Sequence, residues 1–246
     1  MARFKMESYV KKISFSSNGF LLKGTLHMPD ISNPPVVIGS HGLFSTGDSP
    51  KQIALAKQCN ALGIAFFRFD HRGCGDSEGV FDEVTSIESR CNDLVAAVKT
   101  VRSMKYTDEL TGFFGSSMGG LVCISVAAEY KVDALVTVAT PVRSAPVLEG
   151  LKKTGKLVSP LSRLYRKDIL SDISDRLELV HHILVFHGDA DELVDLSNGI
   201  KIYEKAREPK KLIIQKNGDH RMSNTKHQQD FVKKAAQWYK SCFKIK

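Results

Sequence analysis

The sequence has no long apolar run, no internal repeat and no tract of low complexity. A helix that spans a bilayer needs roughly 18 or more consecutive apolar residues, so we expect no transmembrane segment. The first twelve residues carry positive charges, but no apolar stretch follows them as it would in a signal peptide. Together these absences predict a cytoplasmic protein.

Cysteine is also scarce and shows no pattern. The five cysteines are odd in number, and no two of them form a C-x-x-C pair. This distribution argues against a disulfide framework and against a zinc site, so we expect reduced thiols that mostly pack in the interior. The five are Cys59, Cys74, Cys91, Cys123 and Cys242.

Composition and charge are those of an ordinary globular protein. Of the 246 residues, 42% are hydrophobic and 25% are charged. This length suits one sizeable core, so we predict a single domain over residues 1–246. The net charge of +8 would suit an anionic partner, but no nucleic-acid-binding motif is visible. We therefore predict no nucleic-acid partner and interpret the excess charge as a solvated, lysine-rich surface.

Apolar residues recur in blocks typical of strands and helices. Strand-like runs at 9–15 and 20–28 flank the turn sequence Ser17-Asn18-Gly19, which predicts a β-hairpin. The further predicted strands are 36–39, 64–69, 110–114, 134–139, 183–186 and 212–215, and the predicted helices are 51–62, 87–101, 117–130, 197–207 and 230–243. A hairpin followed by repeated β-α units predicts an α/β fold, with a mainly parallel sheet and helices on both faces.

Residues 141–182 interrupt this alternation because no strand-like run occurs there. Apolar residues at helical spacing predict short amphipathic helices, and an insertion of this length suggests a helical lid at about 142–181. The lid is basic, with Glu149 as the only acid between residues 142 and 167. Its basic residues are Arg143, Lys152, Lys153, Lys156, Arg163, Arg166 and Lys167. We interpret them as the solvated outer face of the lid; the alternative is that they attract an anionic substrate or an anionic surface.

The strongest motif for function is Gly115-Ser116-Ser117-Met118-Gly119, which matches G-x-S-x-G. It lies between a predicted strand and a predicted helix, the context in which this motif presents a nucleophilic serine on a sharp turn. The glycines leave room for neighbouring backbone, and the helix N-terminus favours developing negative charge. The motif predicts Ser117 as a nucleophile, against the alternative of a simple strand-to-helix turn.

Two later loops supply candidates for the acid and the base that a serine nucleophile requires. The sequence H-G-D-A-D at 187–191 directly follows a predicted strand, and it offers Asp189 and Asp191. His220 follows the last predicted strand and completes the chain order Ser…Asp…His. With an unperturbed pKa of about 6.5, it can accept the serine proton and return it to the leaving group. Spacing leaves the choice between the aspartates open, because a turn aspartate commonly bonds to backbone.

The sequence R-F-D-H-R-G-C-G-D-S at 68–77 resembles the strand-and-loop signature R-x-D-x-x-G-x-G-x-S of many α/β-hydrolases. Together with H-G at 41–42, G-S-S-M-G-G at 115–120, the loop at 187–194 and D-H at 219–220, this similarity covers about residues 10–240. The chain therefore resembles the serine hydrolases of the α/β-hydrolase superfamily. A narrower resemblance is to small bacterial esterases of the cinnamoyl or feruloyl type and to monoacylglycerol lipases.

The resemblance implies roles for further residues. In the H-G-x-x-D-x-x-V motif of these relatives the aspartate is the triad acid, which corresponds to Asp191. The superfamily builds its oxyanion hole from the residue after the nucleophile and from the loop after an early strand, which implies the backbone N–H groups of Met118 and Leu43. Two positions depart from the relatives. Ser116 stands where histidine is common, and Asp195 stands where proline often follows the valine of the acid loop.

These residues predict a serine hydrolase that cleaves carboxylic esters of small to medium size through an acyl-enzyme. Such chemistry needs no metal ion and no organic cofactor, and the expected partner is a small-molecule ester, with an anionic group allowed. His41 precedes the nucleophile in the chain, so we expect it to shape its loop rather than to act as the base. A triad also suits thioesters, peptides and carbon–carbon bonds, and a non-catalytic binding protein of the same fold is a further alternative. The sequence leaves open whether the chain forms a homodimer.

Overall fold

The computed structural model describes residues 8–153 and 171–245 of the chain. The strands are β1 (Tyr9–Ser17), β2 (Phe20–Met28), β3 (Val36–Ser40), β4 (Ala65–Phe69), β5 (Thr111–Ser116), β6 (Ala134–Val138), β7 (Ile183–Gly188) and β8 (Lys210–Gln215). Within the described residues they form one sheet in the order β1-β2-β4-β3-β5-β6-β7-β8. β2 pairs antiparallel with both β1 and β4, and the pairs from β4 to β8 are all parallel. The predicted α/β class, with its N-terminal hairpin, is confirmed.

The hairpin follows from its turn residues. Ser17 pairs with Phe20 across a two-residue turn. Asn18 and Gly19 in that turn have φ values of 48° and 87°. Both residue types tolerate positive φ, and a turn of this kind matches the twist of the two strands. The turn therefore fixes which residues of β1 and β2 face each other.

Helices cover both faces of the sheet. They are α1 (Pro50–Ala61), α2 (Phe81–Val84), α3 (Ile87–Ser103), α4 (Met118–Ala127), α5 (Ala145–Lys153), α6 (Ser197–Lys205) and α7 (Thr225–Cys242). α3 and α4 pack against each other on one face, and α1 and α7 pack against each other on the opposite face. The two faces alternate along each strand: Phe113 of β5 lies in the core beneath α3 and α4, whereas Phe114 lies in the core beneath α1 and α7.

The central strands explain the short apolar runs of the sequence. Every residue of β3, β6 and β7 is buried, because helices cover both faces of these parallel strands. The last strand differs, since β8 is an edge strand with partly exposed side chains. It begins at Lys210, two residues before the predicted start, because lysines at a sheet edge lack the apolar pattern of a buried strand.

The helix boundaries depart from the prediction where a cap was overlooked. α7 begins at Thr225 rather than at residue 230, and the side chain of Asn224 accepts a hydrogen bond from the backbone N–H of Lys226. Asparagine at this position satisfies a helix N–H that has no partner within the helix. The short helix α2 was not predicted at all.

The predicted lid is described only in part. Its first helix, α5, and the segment from residue 171 onward belong to the described residues, and Arg143 forms an isolated bridge with Asp172. No strand was predicted for 141–182, and the described part of this segment contains α5, that bridge and a 3-10 turn at Leu177–Leu179, but no strand. The basic lid residues between Lys152 and Lys167 lie outside the residues whose side chains are described. The lid, its charge and the single domain over 1–246 therefore stay predictions.

Candidate active site

Ser117 lies on the turn between β5 and α4, as the motif predicted. Its backbone has φ 54° and ψ −122°, a conformation that is strained for a residue with a side chain. A hydrogen bond of 2.8 Å from the Ser117 N–H to the carbonyl of Val138 holds this turn. The turn is also tight, because a Cβ added to Gly115 would lie 2.5 Å from the carbonyl oxygen of Gly119. The strained turn leaves Ser117 half-buried at the carboxyl edge of the sheet.

Hydrogen bonds join Ser117, His220 and Asp191 in a continuous chain. His220 Nε2 lies 3.1 Å from Ser117 Oγ, and His220 Nδ1 lies 2.9 Å from each carboxylate oxygen of Asp191. The Asp191 side chain has no exposed surface, and that of His220 is 12% exposed. A carboxylate accepts but does not donate, so it keeps the proton on Nδ1 and leaves Nε2 free to accept from the serine. The structure thus brings together the three residues that the sequence singled out.

The loop after β7 holds Asp191 in place. Asp191 Oδ1 accepts hydrogen bonds from the backbone N–H groups of Leu193, at 2.9 Å, and Val194, at 2.8 Å. The buried His187 ring donates from Nε2 to the carbonyl of Val194 at 2.8 Å, and the same nitrogen lies 3.5 Å from Asp191 Oδ2. Burial lowers the pKa of His187, which favours this neutral donor form. His187 therefore supports the acid loop, a role that sequence reasoning did not assign.

Asp189, the alternative acid, binds backbone instead. Its Oδ1 accepts a hydrogen bond of 2.5 Å from the N–H of Asn217, and this bond joins the loop after β7 to the loop after β8. Glu192 makes a similar tie, because its Oε2 accepts from the N–H of His220 at 3.1 Å. The hydrogen bonds of the His220 ring go to Asp191 and Ser117. The geometry therefore supports Asp191 as the partner of His220 and Asp189 as a turn residue.

The loop after β3 lies beside the nucleophile. A Cβ added to Gly42 would lie 3.7 Å from the Cβ of Ser117, which places the Gly42–Leu43 peptide at the site. Met118 is the first residue of α4, so its N–H has no acceptor within the helix. N–H groups from these two segments are the donors that an oxyanion requires. The assignment of Leu43 and Met118 as an oxyanion hole stays a prediction.

His41, which precedes this loop, is buried, and its hydrogen bonds go to backbone. Its Nε2 accepts from the N–H of His71 at 3.1 Å, so the proton is on Nδ1 and is donated to the carbonyl of Gly42 at 2.8 Å. Burial lowers the pKa of His41 well below its usual range, as suits a neutral ring with one accepting nitrogen. His41 thus holds the loop, in agreement with the role expected of it.

A buried charged network beneath the loop was missed by sequence reasoning. Asp93 of α3 accepts from Arg72 Nε at 2.9 Å and from Arg72 Nη2 at 2.6 Å. His71 Nδ1 lies 3.4 Å from Asp93 Oδ2, and His71 Nε2 lies 2.9 Å from Ser40 Oγ. Burial lowers the pKa of His71 to about 4. Burial also opposes the ionised form of Asp93, but the hydrogen bonds from His71 and Arg72 outweigh it and lower the pKa of that carboxyl.

Residues of the motif at 68–77 hold two loops together through hydrogen bonds. Asp70 Oδ1 accepts from the N–H of Gly47 at 2.7 Å, and Asp70 Oδ2 accepts from the N–H of Asp76 at 3.0 Å. Ser77 Oγ donates to the carbonyl of Asp70 at 2.7 Å. These bonds join the loop after β3 to the loop after β4, so the aspartate and serine of the motif have structural roles.

Other nucleophiles and metal ligands are less suitable. Among residues 8–153 and 171–245, no group of His, Cys, Asp or Glu side chains is arranged to hold a metal ion. The five cysteines are free thiols, and burial raises the pKa of Cys91 to about 12 and that of Cys242 to about 11. Thiols with such pKa values are protonated at neutral pH and react poorly. Ser117 is therefore the strongest candidate nucleophile.

The sheet order and the strand–turn–helix around Ser117 are those of an α/β-hydrolase. The chain matches the model of the family described as serine aminopeptidase, S33, over residues 32–182, and it belongs to that family within the α/β-hydrolase superfamily. Residues 154–246 also match the prolyl oligopeptidase family. By family and fold the protein is a hydrolase.

Individual relatives are distant. The chain is 26% identical over 230 residues to the mitochondrial palmitoyl-protein thioesterase ABHD10 of Bos taurus, covering 80% of this chain and 73% of that protein. The Pyrococcus furiosus esterase Pf2001 has a similar structure, with a TM-score of 0.83, 20% identity, and coverage of 96% of this chain and 91% of that one. Est1E from Butyrivibrio proteoclasticus, solved with ferulic acid bound, has a TM-score of 0.75 at 19% identity, with coverage of 94% and 99%. At this identity the two structures show the shared fold alone.

Two observations concern the location of the protein. In the part of the chain that the structure describes, no helix combines the length and the apolar character that crossing a bilayer requires. The bovine relative is named as a mitochondrial protein. The cytoplasmic location of this chain stays a prediction.

Proposed function

We propose that Ser117, His220 and Asp191 form a catalytic triad that hydrolyses carboxylic esters of small to medium size. The observation that carries the proposal is the continuous hydrogen-bond chain, with Ser117 Oγ 3.1 Å from His220 Nε2 and with a fully buried carboxylate on the other side of the ring. Support also comes from the strained turn at Ser117, which is how this fold presents a nucleophile. The esterases among the structural neighbours share the fold on which such a site is built.

The proposed reaction proceeds in two acyl-transfer steps. His220 Nε2 takes the proton of Ser117 Oγ as that oxygen forms a bond to the substrate carbonyl carbon, and the carbonyl oxygen becomes negative. The N–H groups of Leu43 and Met118 donate to this oxyanion. His220 then gives the proton to the departing alkoxide oxygen, and the acyl group stays on Ser117. Water repeats the sequence, losing a proton to His220 as it attacks, and the carboxylic acid leaves as Ser117 recovers its proton.

Asp191 has two tasks in this mechanism. Its carboxylate holds His220 in the tautomer with the proton on Nδ1, and it stabilises the imidazolium that forms when Nε2 takes the serine proton. The backbone N–H groups of Leu193 and Val194 fix its orientation, so the charge is in place before the reaction begins. No proton needs to pass to Asp191 at any stage.

A thioester is the second candidate substrate. The observation that favours it is the match over 80% of this chain to a relative named as a palmitoyl-protein thioesterase. A thiol has a pKa of about 8.5, so a thiolate leaves with little help from a general acid, whereas an alkoxide requires the proton of His220. Ester and thioester hydrolysis should therefore respond differently to changes at His220.

The test is hydrolysis of a matched pair, an oxygen ester and a thioester with the same butyryl group, by wild type, Ser117→Ala and Ser116→Ala. Ser116 adjoins the nucleophile but has no role in the mechanism, so its variant should keep kcat within about threefold of wild type. The proposal predicts that Ser117→Ala abolishes turnover of both substrates. A higher kcat/KM for the oxygen ester supports the esterase, and a higher value for the thioester favours the second candidate. Turnover that survives in Ser117→Ala would contradict both.

A further inference from the structure

Arg90 of α3 is a fully buried arginine that contacts the loop beside the nucleophile. Its side chain is 1% exposed. Arg90 Nη1 lies 3.3 Å from the carbonyl oxygen of His41 and 3.5 Å from that of Gly42, and Nη2 lies 3.1 Å from that of Leu43. Nη2 also lies 3.5 Å from Cys74 Sγ. One guanidinium therefore binds the carbonyls of three consecutive residues.

A cation in this position is costly to bury. Burial lowers the pKa of Arg90, but a guanidinium is too basic to lose its proton near neutral pH, so the charge remains in the interior. Asp93, three residues later on the same helix, favours the charge of Arg90, but its hydrogen bonds go to Arg72 and His71. The hydrogen bonds of Arg90 itself go to backbone carbonyls and a thiol. A methionine or leucine would fill a similar space without this cost, so the contacts between Arg90 and the loop after β3 point to a functional role.

The geometry of the peptide group links these contacts to the oxyanion hole. The Gly42–Leu43 peptide is trans, so its C=O and its N–H point in opposite directions. Its carbonyl accepts from His41 Nδ1 at 2.8 Å, from Arg90 Nη1 at 3.5 Å and from the N–H of Ser45 at 3.3 Å. The Leu43 N–H therefore points away from the buried arginine. Gly42 lies against Ser117, so this N–H belongs to the loop segment beside the nucleophile.

We propose that Arg90 is a positioning residue for the oxyanion hole: by binding the carbonyls of His41, Gly42 and Leu43, it aims the Leu43 N–H at the substrate oxygen. This inference rests on the proposed function, because an oxyanion forms only if Ser117 attacks a carbonyl. Arg90 touches no substrate atom and acts through the loop. Its loss should therefore slow the chemical step and leave substrate binding nearly unchanged.

The test compares p-nitrophenyl butyrate with its thiono analogue, in which sulfur replaces the carbonyl oxygen. Sulfur is a weak hydrogen-bond acceptor, so donors aimed at the oxyanion favour the oxygen substrate, and the ratio of the two kcat/KM values reports on the donors. For Arg90→Met we expect kcat for the oxygen ester to fall by about 30-fold or more, since loss of one oxyanion donor costs about 10²–10³ in kcat. KM should change by less than about threefold, and the oxygen-to-sulfur ratio should fall by about tenfold. Arg90→Lys keeps the charge but not the fork of donors, so its ratio should be intermediate.

Two control variants separate positioning from stability. Val101→Ala removes a buried side chain from the same helix and should lower Tm without changing the ratio. Arg102→Met removes an arginine of the same helix that binds a different backbone carbonyl, that of Lys131 at 3.4 Å, and should leave kcat and the ratio unchanged. Near-UV circular dichroism and Tm show which variants fold.

The outcomes are distinguishable. If Arg90→Met folds and keeps the wild-type ratio, the inference is overturned, even when kcat and Tm fall as they do in Val101→Ala. If Arg90→Met does not fold, Arg90→Lys decides, and an unchanged ratio in that variant overturns the inference. If wild type shows no turnover that depends on Ser117, the proposed function fails and the inference fails with it.

Discussion

Replacing Asp191 by asparagine tests the triad at the residue whose role depends most on geometry. Both backbone donors of the acid loop, the N–H groups of Leu193 and Val194, bind Asp191 Oδ1. The asparagine oxygen should take this place, because an NH₂ group cannot accept these bonds. The NH₂ group then occupies the place of Oδ2, at 2.9 Å from His220 Nδ1, and the amide oxygen, at the same distance from Nδ1, already accepts two backbone N–H bonds. The shape of the loop should survive the change.

The tautomer of His220, by contrast, should change. Two donors cannot face each other, so His220 Nδ1 becomes an acceptor and its proton moves to Nε2. Nε2 then donates to Ser117 and cannot remove the serine proton. A change of this kind in a serine protease lowers kcat by about 10⁴, which corresponds to about 5.5 kcal/mol in the activation free energy. For Asp191→Asn we expect a loss of about 10³–10⁴ in kcat with a small change in KM.

The assay is hydrolysis of p-nitrophenyl butyrate at pH 7.5, and Asp189→Asn is the matched control. The asparagine oxygen can still accept from the N–H of Asn217, as Asp189 Oδ1 does, so kcat should change by less than about threefold. Equal Tm values for Asp191→Asn and wild type would exclude unfolding as the cause. A large loss in Asp189→Asn together with normal activity in Asp191→Asn would refute the assignment.

Two further predictions concern stability. His71 has a pKa of about 4 in the folded chain against 6.5 for an unperturbed histidine, so its contribution is complete above pH 6.5 and is lost as the pH falls to 4. Between pH 6.5 and pH 4, the free energy of unfolding of His71→Gln should vary with pH less steeply than that of wild type, by about 1.4 kcal/mol per pH unit. The measurement is urea unfolding at several pH values, and parallel curves for the two proteins would contradict this prediction. In Gly119→Ala the added methyl group would overlap the carbonyl oxygens of Ser40 and His41, which should cost about 1–3 kcal/mol of stability. In Gly150→Ala the added methyl group meets no atom within 4 Å among the described residues, so Tm should be unchanged or slightly raised; an equal loss of Tm in both variants would count against the packing argument.

Much of the fold could be predicted from local patterns because each pattern has a local physical cause. Asn18 and Gly19 form the hairpin turn with their positive φ values, and the fully buried strands are the short apolar runs of the sequence. Ser117 could be placed on its turn because the glycines two residues before and after it lie so close to other backbone atoms that a side chain would not fit there. These predictions required no knowledge of distant contacts.

The choice between Asp189 and Asp191 did require knowledge of contacts between distant parts of the chain. Both follow the same strand, and spacing does not show which carboxylate reaches a histidine 29 or 31 residues later. The resemblance to known hydrolases favoured Asp191. The folded loop gives a physical reason, since the N–H groups of Leu193 and Val194 turn that carboxylate toward His220.

The buried network beneath the loop after β3 was missed because charged helix residues usually face solvent. Arg90 and Asp93 each stand four residues before a buried apolar residue of α3, Leu94 and Ala97 respectively. They therefore lie on the buried stripe of the helix. A charged residue among the buried apolar positions of a helix is therefore the sequence feature from which the network could have been predicted. Its partners, the carbonyls of the loop after β3, lie nearly 50 residues away in the chain and could not be predicted from local sequence.

The most direct test of the central claim is covalent labelling with a fluorophosphonate, followed by mass spectrometry of the peptides. The probe reacts with a serine only when a base activates it and donors bind the phosphonyl oxygen, and it requires no knowledge of the substrate. We predict one labelled peptide, modified at Ser117, and no labelling of that peptide in folded Ser117→Ala. Folded wild type that stays unlabelled at Ser117, or that is labelled at another serine, would contradict the proposed triad.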